Sequence, residues 1–312
     1  MKYLVTGGAG FIGSHIVEAL LKSGQEVRVL DNFSTGKREN IASFGRDIHL
    51  IEGDIRDADA VSKAVRGVDV IFHEAAVPSV PRSVREPQFT HDVNVNGTLG
   101  LLLAAKDDGV SRFVYASSSS AYGDTPTLPK VEEMAPAPLS PYAVQKLMGE
   151  YYTRVFCLVY GLPTVALRYF NVFGPRQDPE SEYAAVIPKF ITRMMARKQP
   201  LIYGDGAQTR DFTYIENIVT ANLLAAERGQ CLGEVMNIST GQSLDLITLA
   251  RTIGSVMDVS ADPIFEPAQE GDIKHSYGNI SKAERLLGYS VRVGLEEGLS
   301  RTVQWYLKGA SR

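Results

Sequence analysis

"KYLVTGGAGFIG" (residues 2–13) decides how the rest of the chain is read. An apolar run of strand length meets a cluster of glycines and passes at once into the helical pattern "IGSHIVEALLKSG" (12–24). Gly7, Gly10 and Gly13 form G-x-x-G-x-x-G, and Gly8, Gly10 and Gly13 also satisfy G-x-G-x-x-G. Such spacing lets the backbone turn tightly and approach a pyrophosphate, whose charge rests on the free N–H groups at a helix start. A glycine pattern alone is weak; the strand before it and the helix after it supply the context. Asp31 closes a second apolar run, "EVRVLD" (26–31), 18 residues beyond Gly13. A carboxylate there accepts the ribose 2′-OH and repels a 2′-phosphate, so NAD is expected over NADP. The plainer reading of Asp31 is a strand-end turn residue. Asp54, in "EGDI" after a third run, is placed to reach the adenine edge.

Outward from this unit, apolar runs alternate with amphipathic stretches. "IHLIEG" (48–53), "DVIFHEA" (69–75), "RFVYASS" (112–118) and "PTVALRYF" (163–170) read as strands, with helices at 58–67 and 94–109. This alternation predicts an α/β fold, a Rossmann-type doubly wound parallel sheet covered on both faces. After Gly174 the rhythm breaks into "GPRQDPESEYAAVIPKF", a helix (188–198) and a short strand "PLIYG", before residues 214–228 and 235–239 return to the first pattern. The expected division is a dinucleotide-binding domain over 1–171 plus about 211–240, and a smaller discontinuous α+β lobe over about 172–210 and 241–312.

With 312 residues, 44% hydrophobic and 22% charged, the chain is long enough for two lobes around a large core. A net charge of −4 without a basic run gives no reason to expect nucleic acid or an anionic membrane. Cys157 and Cys231 lack CxxC partners, and the five histidines show no HxxxH spacing, so no metal is expected. The opening residues resemble no signal peptide, and no stretch approaches a membrane span; a cytoplasmic setting is the expectation.

The chemistry lies in "SPYAVQK" (140–146). Ser140 suits a helix N-cap, Pro141 the first helical position, and Tyr142 and Lys146 then share one face a turn apart. A surface helix with an incidental aromatic is the bland reading. However, the fifth strand delivers "SSSS" (117–120) shortly before it. A free tyrosine, with a pKa near ~10, is a poor base at neutral pH. A lysine ammonium one turn away, helped by an oxidised nicotinamide, stabilises the phenolate, and a serine hydroxyl can bond both phenolate and substrate oxygen.

With "TGGAGFIG", "LDN", "GDI", "HEAA", "NVNGT", "SSSSAYG", "SPYAVQK", "LRYFNVFGPRQDP", "YGDGAQTRDFTYI" and "EGDIKHSYGNISKAERLLGY", the chain resembles the extended short-chain dehydrogenase/reductase family, and within it the UDP-sugar 4-epimerases. The resemblance covers essentially the whole length. It implies Tyr142 as general base, Lys146 as its electrostatic partner and nicotinamide-ribose anchor, and Ser118 as the third member, with Ser117 and Ser119 open if the strand end shifts by one. It implies NAD contacts from Gly7, Gly10, Phe11, Ile12, Gly13, Asp31, Asn32, Asp54, Ile55, Ala75, Ala76 and Tyr169. For the UDP-sugar it implies Ser79, Ser119, Asn171 and Arg210 around sugar and diphosphate, and Val186 and Tyr203 flanking uracil. An ion pair with Asp211 is the alternative reading of Arg210. Pro78, Gln177, Ala185 and Ser276 would line the sugar pocket. A homodimer built on helices around 89–108 and 142–160 is also implied, against the alternative that their apolar residues form core.

Two departures carry weight. Gln269 stands three residues before Asp272, where the family often has a phosphate-binding arginine; glutamine there also occurs in relatives that act on UDP-glucuronate. Ser276 stands where members restricted to unsubstituted hexoses tend to carry tyrosine, which leaves room for an acetamido group; otherwise it is an exposed loop serine. The implied reaction is removal of the 4-OH proton by Tyr142 with hydride transfer to NAD⁺, rotation of the 4-keto sugar, and return of the hydride to its other face. A 4,6-dehydratase would need Asp-Glu after the hydroxyl residue, whereas "SSAY" follows Ser118. UDP-glucuronate 4-epimerisation, a simple nucleotide-sugar oxidoreductase and a silent NAD-binding regulator are the alternatives, the last disfavoured because Tyr142 and Lys146 are both kept.

Overall fold

A computed structural model of the chain describes residues 1–179, 185–229, 232–268 and 273–310. Strands β1 (Lys2–Thr6), β2 (Glu26–Asp31), β3 (Ile48–Glu52), β4 (Val70–His73), β5 (Arg112–Ser118), β6 (Thr164–Tyr169) and β7 (Val235–Ile238) form one parallel sheet in the order β7-β6-β5-β4-β1-β2-β3. The six runs read as strands in the first half of the chain become β1–β6, and the central ones, buried on both faces, are mostly apolar. Leu4 and Val5 show this directly. Val5 packs among Ile16, Val17 and Val29, while Leu4 joins Leu30, Val61, Ile71 and Leu101 on the opposite face.

Helices α1 (Phe11–Lys22), α2 (Ala58–Val65), α3 (Thr98–Asp107), α4 (Pro141–Tyr160) and α5 (Ile215–Glu227) cover the sheet, with α1 against α5 and α3 against both α2 and α4. Their starts follow local chemistry. Asp57 caps α2 by accepting from Asp59 N at 2.9 Å, and Ser140 caps α4 by accepting from Ala143 N at 3.2 Å, with Pro141 at the first helical position. The stretch expected as helix from 94 is first a π-helical segment, Asp92–Gly97. Its wider turn holds Asn94 inward, where the side chain accepts from Val77 N at 2.8 Å and donates to Gln145 Oε1 at 2.8 Å. A buried amide that ties the loop after β4 to α4 has outweighed regular helical winding.

Beyond Phe170 the structure is built from short pairings. Val172–Phe173 pairs with Thr213–Tyr214. Thr209–Arg210 lies between Leu244–Asp245 and His275–Ser276, and Leu201–Tyr203 pairs with Ile264–Glu266. Helices Val186–Met195, Leu246–Met257 and Leu295–Ala310 pack on one another behind them. Strand order reverses at β1, which neighbours both β2 and β4, so a crevice opens at the carboxyl ends of these strands.

Arg168 is a charged residue inside a buried strand. It forks onto the Glu150 carboxylate of α4 through two hydrogen bonds of 2.7 Å, and its guanidinium lies 4.6 Å from the Tyr122 ring centre. The two side chains are 4% and 2% exposed. Replacing Arg168 by Met strands a buried carboxylate, and the loss of stability is expected to be about 3–5 kcal/mol. Glu150→Gln in the same chain should restore much of it. Urea unfolding of both variants checks this; a loss below about 1 kcal/mol for Arg168→Met would contradict the assignment.

Candidate active site

At the crevice lies a cleft of about 1130 Å³. Its floor is the glycine turn. Gly7 has φ of +68°, and a Cβ there would stand 2.7 Å from Ala75 N; one on Gly13 would stand 2.2 Å from Gly7 O. The α1 ladder begins with Ser14 N donating to Gly10 O, so the amides of Phe11, Ile12 and Gly13 point out of the helix end. This is a bare backbone cradle of the shape a pyrophosphate needs. Asp31, at the end of β2, is buried. Its carboxylate is fixed by Ala9 N at 2.9 Å and Phe33 N at 2.8 Å, and burial raises its pKa against those two bonds. Both oxygens keep a lone pair, so a ribose hydroxyl can still be accepted. Asp54 carries a bidentate Arg56 (2.9 and 2.8 Å) and accepts from Asn32 Nδ2 at 2.8 Å; the Arg56 bonds lead in lowering its carboxyl to about 2. The residues present therefore fit a dinucleotide.

Ser117 and Ser118 face opposite ways at the end of β5, as strand alternation requires. Ser117 Oγ donates to Glu150 Oε1 at 2.5 Å in the interior. Ser118 lines the cleft and accepts from Ser120 N at 3.2 Å. Ser117, Ser118 and Ser119 all border the cleft, and of these Ser117 has its hydroxyl committed to Glu150. Tyr142 lines the same wall, half-buried, and its backbone N donates to Ser83 Oγ at 3.1 Å. Lys146, one turn on, is 5% exposed and lies behind this wall, with Nζ donating to the Ala116 carbonyl at 2.8 Å. Burial pushes the Lys146 pKa down, and the Glu74 and Glu150 carboxylates pull it back up.

The remaining expected residues divide three ways. Ile55, Ala75, Ala76, Tyr169, Pro78, Ser79, Asn171, Gln177, Ala185, Arg210 and Ser276 line the cleft with those above. Val186 and Tyr203 are half-buried but outside its lining. Gln269 and Asp272, like Cys231, lie outside the described residues. The buried carboxylate of Asp211 accepts from Thr240 N, Thr240 Oγ1 and Gly241 N, and Arg210 Nη1 donates to Thr209 O at 2.9 Å and Lys274 O at 3.2 Å. Ser276 is 9% exposed and pairs in register with Arg210, so it is a wall residue and not a loose loop serine. Gln177 Nε2 donates to Val172 O at 3.0 Å, while its Oε1 is buried without a partner among the described residues.

Sequence reasoning missed several groups here. Glu74 follows β4, lines the cleft and accepts from Tyr169 Oη at 2.9 Å; "HEAA" was its sole signal. Arg176 lines the cleft and pairs with Glu18 of α1, and Lys37 pairs with Asp178 at 2.9 Å across the cofactor end. Among the described residues no group of three or more His, Cys, Asp or Glu is arranged to hold a metal, and no helix is long and apolar enough to cross a membrane.

Comparison with known proteins bears on the same site. Residues 3–239 match the NAD dependent epimerase/dehydratase family. The solved UDP-N-acetylglucosamine 4-epimerase of Methanobrevibacter ruminantium, in complex with UDP-N-acetylmuramic acid, is 42% identical with a TM-score of 0.95, over 99% of this chain and 98% of that one. A putative UDP-glucose 4-epimerase of Methanocaldococcus jannaschii is 40% identical over 97% of each chain. The solved UDP-glucuronic acid 4-epimerase of Bacillus cereus, with UDP-glucuronic acid and NAD, is 37% identical with a TM-score of 0.91, over 99% of each chain. With its glycine cradle, its parallel sheet and these likenesses over almost its full length, the chain belongs to the NAD dependent epimerase/dehydratase family.

Proposed function

We propose that the protein interconverts UDP-hexoses at C4, taking the UDP-GlcNAc/UDP-GalNAc pair and also UDP-glucose/UDP-galactose. The observation that carries this is Tyr142 on the cleft wall with Lys146 buried one turn behind it. NAD⁺, when bound in the glycine cradle, supplies a hydride acceptor that can return what it takes. The protein's part is proton transfer and grip. Tyr142 as phenolate takes the 4-OH proton and gives it back to the same oxygen after the sugar has turned. Lys146 keeps the phenolate accessible at neutral pH by its positive charge. Ser118 orients the oxygen that exchanges this proton.

Arg210 and Asn171 hold the diphosphate, a role suited to a guanidinium fork. The sugar end of the cleft is lined by the small or neutral Pro78, Gln177, Ala185 and Ser276. That composition leaves a ring free to rotate and an acetamido group room to fit. UDP-glucuronate is the second reading, favoured by Arg82 beside the cleft, whose guanidinium is shared with Glu86 at 3.3 Å and the Phe89 ring. In this account the lobe of about 172–210 and 241–312 binds the UDP-sugar, and residues 1–171 with about 211–240 bind NAD. A cytoplasmic setting suits the free thiol of Cys157.

The outer face of α4 presents Tyr151, Val155, Leu158, Val159 and Tyr160 to solvent, together with Leu103 of α3. An apolar stripe of this size supports a homodimer in which α3 and α4 meet their copies. Light scattering should give a dimer for the native chain and a monomer for Leu158→Glu; a native monomer would contradict the interface.

Incubation with UDP-GlcNAc, UDP-glucose and UDP-glucuronate without added reductant, followed by anomeric proton NMR, should yield UDP-GalNAc and UDP-galactose. Tyr142→Phe should lower turnover at least about 100-fold with NAD still bound. A fully active Tyr142→Phe enzyme, or conversion of UDP-glucuronate alone, would overturn the assignment. Ser276→Tyr should cut turnover of the N-acetylated sugar at least about tenfold while sparing UDP-glucose. Equal losses on both would remove Ser276 from the sugar pocket.

A further inference from the structure

One ionisable group on the cleft wall has no part in the reaction as described. Glu74 follows His73 at the end of β4; His73 pairs with Tyr115, and the next residue of β5 is Ala116, whose carbonyl holds Lys146 Nζ. Glu74 therefore lies level with the lysine's anchor, one strand away. Its position is fixed from β6 and α5. Asn222 meets Tyr169 Oη with Nδ2 at 2.7 Å and Oδ1 at 3.1 Å, and with the closer amide nitrogen donating, the better-placed acceptor for the hydroxyl proton is Glu74 Oε1 at 2.9 Å. Tyr169 in turn sits opposite Ser118 in the β5–β6 register. The second carboxylate near Lys146, Glu150, is already neutralised by the fork of Arg168. Of the two carboxylates that act on Lys146 among the described residues, Glu74 is thus the one not matched by a guanidinium.

We propose that Glu74 is a positioning residue for the Tyr142–Lys146 pair: its carboxylate, clamped by Tyr169, keeps Lys146 in the ammonium form. The inference rests on the epimerase reading for its consequence but not for its test. Burial alone drives Lys146 towards the neutral amine and Glu74 towards the neutral acid, and each charge opposes the other's loss. A neutral lysine would leave Tyr142 a phenol, because the singly deprotonated pair would then keep its remaining proton on the tyrosine. The other groups around Lys146 do not replace Glu74. His73 is buried, holds Thr6 and Thr98, and is pushed down to about 3, so it stays uncharged. Tyr115, whose ring centre lies 5.2 Å from Nζ, and Tyr169 are both pushed well above the ordinary tyrosine value by burial.

Glu74→Gln keeps an acceptor for Tyr169 and removes only the charge; Glu74→Asp keeps the charge. The ammonium of Lys146 is read in the NAD-bound protein, without sugar, from the Cε resonance of ¹³C-lysine across pH, assigned by its loss in Lys146→Met. The Lys146 midpoint should fall by about one pH unit in Glu74→Gln and stay near the native value in Glu74→Asp. In turnover, the alkaline limb of the kcat profile should move to lower pH by a similar amount in Glu74→Gln. An unmoved Lys146 midpoint, or equal movement in both variants, would overturn the proposal. So would a uniform fall in kcat with an unmoved pH profile. If no UDP-sugar turns over at all, the epimerase reading fails while the Lys146 titration still decides the role of Glu74.

Discussion

The hydrogen bond from Lys146 Nζ to the Ala116 carbonyl sets the geometry of everything around it. An ammonium taken out of water costs several kcal/mol unless charge and hydrogen bonds meet it, and the chain meets it from three elements. Glu150 lies one turn along α4, Glu74 follows β4, and Ala116 belongs to β5. The helix must lie close on the strand for this to work. Gly149 makes that approach possible, since a Cβ there would stand 2.1 Å from Tyr115 Oη, and Tyr115 Oη donates to the Lys146 carbonyl at 3.4 Å. With α4 so seated, Tyr142 projects from the helix start into the crevice that the reversal of strand order opens. The seat of one buried cation thus aligns the helix, the strand ends and the tyrosine.

Much of this was legible in the sequence, and the reasons differ by feature. Six of the seven strands and the glycine turn could be read because their causes are local: a doubly covered strand is mostly apolar, and the turn admits no side chain. Tyr142 and Lys146 could be read because helical spacing fixes their shared face once Ser140 and Pro141 fix the start. Ser117 against Ser118 could not be settled that way. Which hydroxyl turns inward depends on which serine meets Glu150, a residue 33 positions away. The π-helical turn at Asp92–Gly97 escaped for the same reason, since its cause is Asn94 reaching Val77 and Gln145. Arg168 lies within the run "PTVALRYF" with no local partner; the carboxylate that holds it, Glu150, comes from α4. Glu74 carries no periodic signal at all; only its neighbours in space give it a role.

The two halves of the cleft have different character, and the difference suits epimerisation. In the half proposed to hold the cofactor, Asp31 is bonded by two backbone amides and the glycine turn leaves no room for a side chain. Lys37–Asp178 and Arg176–Glu18 tie the loop after Phe173 down over it. Where the sugar is proposed to sit, Pro78, Ala185 and Ser276 line the cleft beside Gln177, with Arg210 on a two-residue strand. A firm hold on the nucleotides with a loose hold on the ring is what turning a 4-keto sugar over in place demands.

That economy can be tested by following one atom. With UDP-glucose deuterated at C4, turnover in the presence of excess unlabelled NAD⁺ and NADH should give UDP-galactose that keeps the deuterium at C4, because the same site that removes the hydride returns it. Loss of the label into the dissolved cofactor pool or solvent would show that the ketone and reduced cofactor part company, and would contradict the central claim.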